Sequence, residues 1–224
     1  MSCLSWAEPT DRQLYDAYLR QDMQVWADYL NTSQWQTADN EEKSRILIYE
    51  YGYVPYLYSV KDTAACRKAN LRYQQHIEAH KQEMSEADYL GHSSAASIYF
   101  FLQDKTKMGT VISGKKMAEA AVKADPLNPL TLYIRGNFYF HFPKLFGGSK
   151  SKALEYFLRS EKEMEKDEKY RYHWMYAAVQ LVAAQCYDKL GDKDNAVAQC
   201  QKILRMHPDF VYVKEELLPT LLKE

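Results

Sequence analysis

Near the carboxyl end an aromatic (Tyr187), a glycine turn (Leu190-Gly191-Asp192), a small residue (Ala196), a β-branched aliphatic (Ile203) and a proline (His207-Pro208) follow one another at helical spacings. Two antiparallel helices joined by a tight turn satisfy this order. Gly191 lets the chain reverse after the first helix. Ala196 is small enough for the second helix to lie against the first, where Ala184 holds the matching small place. Pro208 ends the unit, because it has no N–H to donate and restricts His207 before it. Cys186 lies on the first helix and Cys200 on the second, and both read as small core residues rather than a disulfide or a reactive pair.

Partial copies of this unit lie upstream. Ala121, Asp125 and Pro126 close one, and Gly136, Tyr139, Ala153 and Phe157 mark the next. A weaker copy sits at Tyr51-Gly52 and Ala64/Ala65, with Pro55 inside its first helix, where a kink is expected. The pattern resembles the tetratricopeptide repeat, although Ile203 stands where that family usually has alanine and Cys200 where it has an aromatic. The resemblance implies an all-α solenoid, a right-handed superhelix of antiparallel helix pairs whose first helices line a concave face. Residues His141–Ser149 lengthen one hairpin turn with a Pro…Gly-Gly insert. That insert resembles the turn of the T-component proteins that accompany TRAP-type transporters, and of bacterial envelope repeat proteins.

The predicted helices pair as 41–60 with 63–84, 86–103 with 111–124, 129–142 with 149–166, and 170–190 with 193–206, and 211–222 closes the chain. Residues 8–39 read as a short helical cap beginning at Thr10 or Asp11, with Trp35 folding back onto the body. Residues 40–224 form the degenerate repeats. With only 8 Gly and 7 Pro in 224 residues, the composition favours helices. The 29 Lys+Arg against 30 Asp+Glu argue against a polybasic nucleic-acid surface. No stretch approaches the ~18 consecutive apolar residues of a membrane span. Ser5-x-Ala7 satisfies the small-residue rule for a signal-peptidase cut, so residues 1–7 read as the remnant of an export signal. A periplasmic or secreted location is therefore expected, with the cytoplasm as the alternative. Cys3 as a lipoprotein acceptor has less support, since no apolar run precedes it.

The candidate binding residues follow from the resemblance. First-helix positions that face a groove in tetratricopeptide proteins correspond here to Tyr49, Tyr53 and Tyr56, then Leu130, Tyr133, Asn137, Phe140 and His141, and last Leu181, Gln185, Asp188 and Lys189. Tyr49, Tyr53 and Tyr56 also share one helical face by their spacing. A protein or peptide partner would be held there by ring contacts and hydrogen bonds. The competing reading packs these rings against a neighbouring helix. His76 and His80 share a face with Glu83, but Ile77 stands where a zincin has glutamate, and the polar neighbours suggest a solvated surface. Gly147-Gly148-Ser149-Lys150 is not a phosphate loop, and His92 beside Ser93-Ser94 has no oxyanion hole. No catalytic residue, metal or cofactor is expected. Two other activities remain open: a small-molecule or hydrophobic-ligand receptor lined by Tyr49, Tyr53, Tyr133 and Phe140, and self-association through the stripe Val211, Leu217, Leu218, Leu221 and Leu222.

Overall fold

The computed structural model describes residues 9–223; the expected export remnant, Cys3 included, lies outside them. Among the described residues there are eleven α-helices and no strand. They are α1 (Asp11–Leu19), α2 (Met23–Thr32), α3 (Asn40–Ser59), α4 (Thr63–His80), α5 (Glu86–Gln103) and α6 (Met108–Ala124). The remainder are α7 (Pro129–His141), α8 (Lys150–Met164), α9 (Trp174–Lys189), α10 (Lys193–Met206) and α11 (Leu218–Lys223), the last entered through a π turn at Val213–Leu217.

Sequence-adjacent helices pack as antiparallel pairs, α3 with α4, α5 with α6, α7 with α8 and α9 with α10. The first helices also touch one another, α3 against α5 and α5 against α7. Local chemistry sets the boundaries. Thr10 opens α1 with a reciprocal capping box to Gln13, and Asp39, Ser85, Asn128 and Ser149 accept from the first-turn amides of α3, α5, α7 and α8. The expected start of α9 at Tyr170 moves to Trp174, because Glu168–Tyr170 forms a 3-10 turn and the His173 side chain caps the helix.

The α9–α10 unit follows its sequence signature. Ala184, Ala196, Cys186, Cys200 and Ile203 are fully buried, and Gly191 turns with φ of 77°. In the α3–α4 pair the small inward residues are Cys66 and Ala69, whereas Ala64 is exposed and Ala65 half-buried. Helix α3 runs through Pro55. The carbonyl of Tyr51, which a residue with an N–H at 55 would have satisfied, accepts instead from the Tyr99 hydroxyl at 2.9 Å.

The α1–α2 hairpin does more than cover one end. Helix α1 lies against α9, and the Tyr15 hydroxyl bonds the Nδ1 of His207. The Trp26 ring meets Trp174 at 5.3 Å and Tyr49 at 4.9 Å, both edge-on. Gly52 makes this meeting possible, because a Cβ there would stand 2.8 Å from Trp26 and 2.9 Å from Trp174. The centre of the molecule is thus an aromatic cluster contributed by α1, α2, α3, α5, α7 and α9. A smaller core beside it, with Phe210, Val213 and Leu221, seals the carboxyl end. The expected carboxyl-terminal stripe is divided: Leu221 is buried, Val211, Leu217 and Leu218 are half-buried, and Leu222 is exposed.

Candidate functional site

The four first helices all begin at one edge of the molecule, and a cleft of about 580 Å³ opens there. Glu41, Ser44, Arg45 and Tyr49 of α3 form one wall. Ser85, Asp88 and His92 at the start of α5, and Asn128, Pro129 and Leu130 at the start of α7, form the next. Lys169, Tyr170 and His173, ahead of α9, close the far side. Asp11, Glu41 and Asp88 stand in the first turns of α1, α3 and α5, where a helix N-terminus favours negative charge, so the cleft collects carboxylates as a by-product of starting helices in one place.

Its charge is one-sided. Asp11, Glu41, Glu83, Asp88 and Asp125 line it, against Arg45 and Lys169. Both cations are already matched: Arg45 pairs with Asp11 at 2.7 Å and Glu42 at 3.1 Å, and Lys169 with Asp167 at 2.9 Å. Deeper in, the Tyr49 hydroxyl is buried and has no hydrogen-bond partner among the described residues. Burial pushes its pKa up, and the charges acting on it most strongly are those of Asp11 and Arg45 in the cleft wall. His173 accepts from the Met175 amide through Nδ1 at 3.1 Å, which leaves the proton of the neutral ring on Nε2. Burial holds its pKa down at about 4. The half-buried neutral imidazole of His173, set behind a rim of carboxylates, can hydrogen-bond a polar group that enters from solvent, while the phenol of Tyr49 stays in the core behind it.

The seven residues expected to share a groove do not come together. Tyr49 is 1% exposed, its ring packed on Trp26 and Tyr29. Tyr133 is buried between Tyr51 and Phe157, and Asn137 donates to the Tyr51 hydroxyl at 2.9 Å. Tyr53 and Tyr56 are half-buried and stack on each other at 5.7 Å. Phe140 and His141 lie at the opposite end of α7 from the cleft, with the Lys150 ammonium 3.9 Å from the Phe140 ring centre. Helix-on-helix packing buries Tyr49 and Tyr133, with Trp26 and Tyr29 of the α1–α2 hairpin covering Tyr49.

Other sequence candidates have structural occupations. His76 bonds the buried carboxylate of Glu50 at 2.9 Å and stacks flat on Trp35 at 3.8 Å; His80 is buried beside Ser44. The expected solvated face is therefore a packed one, and Trp35 folds back as expected. His92 accepts the Tyr73 hydroxyl in the core, and the Ser94 hydroxyl donates to the Gly114 carbonyl at 2.7 Å. Among the described residues no three His, Cys, Asp or Glu side chains converge as metal ligands. No protein-family model matches the chain, and no curated protein matches it.

Sequence reasoning missed the acidic rim, because Glu41 and Asp88 lie in the first turns of α3 and α5 and Asp125 follows α6, far apart in the chain. The signal was present in the caps: Asp39, Ser85 and Asn128 each mark a helix start, and paired antiparallel helices bring such starts to one edge.

Proposed function

We propose that the protein is a non-catalytic, tetratricopeptide-like binding scaffold whose cleft at the helix starts receives a cationic segment of a peptide or protein partner. The observation that carries this reading is the carboxylate rim, with its cations already paired, above the buried and unpartnered Tyr49 hydroxyl. A lysine or arginine side chain, or a free amino terminus, entering this cleft would exchange water for charge-assisted contacts to Glu41, Asp88 or Asp125. The half-buried Ile48 and exposed Leu127 side chains in the walls would cover its apolar stem. Exposed carboxylates of this kind steer and select more than they tighten, so selectivity by charge is expected ahead of high affinity.

The second reading, a small-molecule receptor, draws support from the cleft's volume, which falls within the ~300–1,000 Å³ range of small-ligand sites. The ligand would then be a compact amine. The first-helix tyrosines lend this reading little, since Tyr49 and Tyr133 are packed in the core.

Fluorescence titration distinguishes these, because Trp26 and Trp174 adjoin Tyr49 and the cleft. Short basic peptides should change the emission saturably, acidic peptides of the same length should not, and Asp88→Asn with Asp125→Asn should weaken the response. Equal responses to basic and acidic peptides, or none to either, would overturn the proposal. A response to small amines without one to peptides would favour the second reading.

A further inference from the structure

The edge opposite the cleft carries the hairpin turns, and three of them join into one surface. The Lys105 ammonium lies 4.6 Å from the Phe101 ring centre and 5.8 Å from that of Tyr58. Phe101 stacks on Phe142 at 6.4 Å, and Phe142 on Phe138 at 4.4 Å. Turn 60–62, turn 104–107 and the long turn 143–149 are therefore neighbours.

This surface shows large apolar groups to solvent. Tyr58, Val60, Met108, Ile112 and Phe146 are exposed, and Leu145 is 89% exposed. The insert that presents Leu145 is tightly closed. Phe146 N donates to Pro143 O at 2.9 Å, Gly147 N to Lys144 O at 2.9 Å, Gly148 N to Pro143 O at 3.0 Å and Ser149 N to Tyr139 O at 2.9 Å. A Cβ on Gly148 would stand 1.7 Å from the Phe142 carbonyl oxygen, so only glycine permits this closure. The leucine is held outward by backbone bonds.

Between the apolar groups stand exposed lysines. Lys61, Lys105, Lys107 and Lys144 occupy the three turns, against Asp62 and Asp104. Both carboxylates are engaged within their own turns, Asp62 by the Ala65 amide at 3.0 Å and Asp104 by the Thr106 amide at 3.0 Å and hydroxyl at 2.7 Å. Apolar tips surrounded by flexible ammonium groups fit an interface where hydrocarbon lies just below anionic headgroups. The apolar groups stand on convex turns with cations between them, which suits a deformable surface better than a preformed protein groove.

We propose that this edge docks on an anionic membrane surface. Leu145 and Phe146 enter the boundary between headgroups and acyl chains, and Lys105, Lys107 and Lys144 lie against the lipid phosphates. No span is involved: among the described residues no helix is long and apolar enough to cross a membrane.

The test is co-sedimentation of the full chain with vesicles of phosphatidylcholine alone and of phosphatidylcholine mixed with phosphatidylglycerol. Binding is expected to the mixed vesicles, weakening as salt rises. Lys105→Glu combined with Lys144→Glu should reduce it by about tenfold or more, since each surface cation is worth roughly fivefold in partitioning. Leu145→Asp should reduce it strongly while leaving thermal unfolding unchanged, given the exposure of the site. Leu145→Trp should add an emission component that shifts to the blue only with mixed vesicles. Equal sedimentation with both vesicle types, no sedimentation with either, full binding by Leu145→Asp, or an unshifted Leu145→Trp component would each overturn the proposal. Capture of a soluble protein by this edge without vesicle binding would overturn it as well.

Discussion

The α9–α10 pair and the aromatic centre hold helices together in opposite ways. Between α9 and α10 the contact is made by Ala177, Ala184, Ala196, Cys200 and Ile203, all fully buried, so the helices approach closely. At the centre, Trp26, Tyr49, Tyr51, Tyr99, Tyr133 and Trp174 bridge wider gaps with edge-on and tilted rings. Close approach depends on the absence of volume, while bridging depends on its presence and on a partner for each polar tip. The Tyr51 and Tyr99 hydroxyls have such partners, and the Tyr49 hydroxyl does not. The second kind of packing looks, in a sequence, much like an exposed binding face.

The contrast breaks most visibly by truncation at the centre. Trp26→Ala should cost about 3–5 kcal/mol by urea unfolding, because its ring touches three helices and its indole N–H donates to the Leu14 carbonyl at 2.8 Å. A loss below about 1 kcal/mol would mean that the centre collapses around the hole and behaves unlike a bridge. Acid should act next, through His207. Its Nδ1 faces the Tyr15 hydroxyl and its Nε2 donates to Gln180 Oε1 at 2.9 Å, and burial lowers its pKa from 6.5 to about 4. The unfolded chain therefore binds the proton first. Stability from this site is full above pH 6.5, is lost as pH falls towards 4, and changes no further below that. Across that window His207→Gln should flatten the dependence of the unfolding free energy on pH, read from urea denaturation, by about 1.4 kcal/mol per unit. Parallel curves for wild type and variant would count against a neutral His207.

Enlargement tests the other region. Ala196→Leu should cost about 1–3 kcal/mol, since the added atoms must push α10 from α9. An unchanged melting temperature would show that the small residues do not set that distance. The finest test is Tyr99→Phe, which leaves the Tyr51 carbonyl without its donor at the Pro55 step and should cost about 1–3 kcal/mol, at the low end if water reaches the carbonyl.

Helices and their pairing were legible because capping residues and small residues carry local meaning. Glu86–Gln103 and Lys193–Met206 run as the sequence predicts. Cys186 and Cys200 pack as small core residues for the same reason. The face of α3 was not legible. Tyr49 and Tyr53 lie one helical turn apart, yet one is buried and the other half-buried. What separates them is Trp26, supplied by a helix that periodicity within α3 cannot reveal. The cleft was legible only in pieces, since its walls come from four helix starts far apart in the chain. The hairpin turn at Pro143–Ser149 stood out as an insertion, but its outward leucine is a property of the closed backbone.

The link from Tyr15 to His207, with Arg20 to Asp209 at 3.2 Å beside it, ties residues separated by 192 positions. A row of helical hairpins can ordinarily form from any point and fray from either end. Here the two ends share a core, so neither can loosen without exposing part of the other. During synthesis α1 can pack on α2 and α3 at once, but its Tyr15 and Leu19 side chains stay exposed until α9 and His207 have emerged. The final rate of folding should depend on closing this one long loop. Once closed, the molecule should unfold as a single unit.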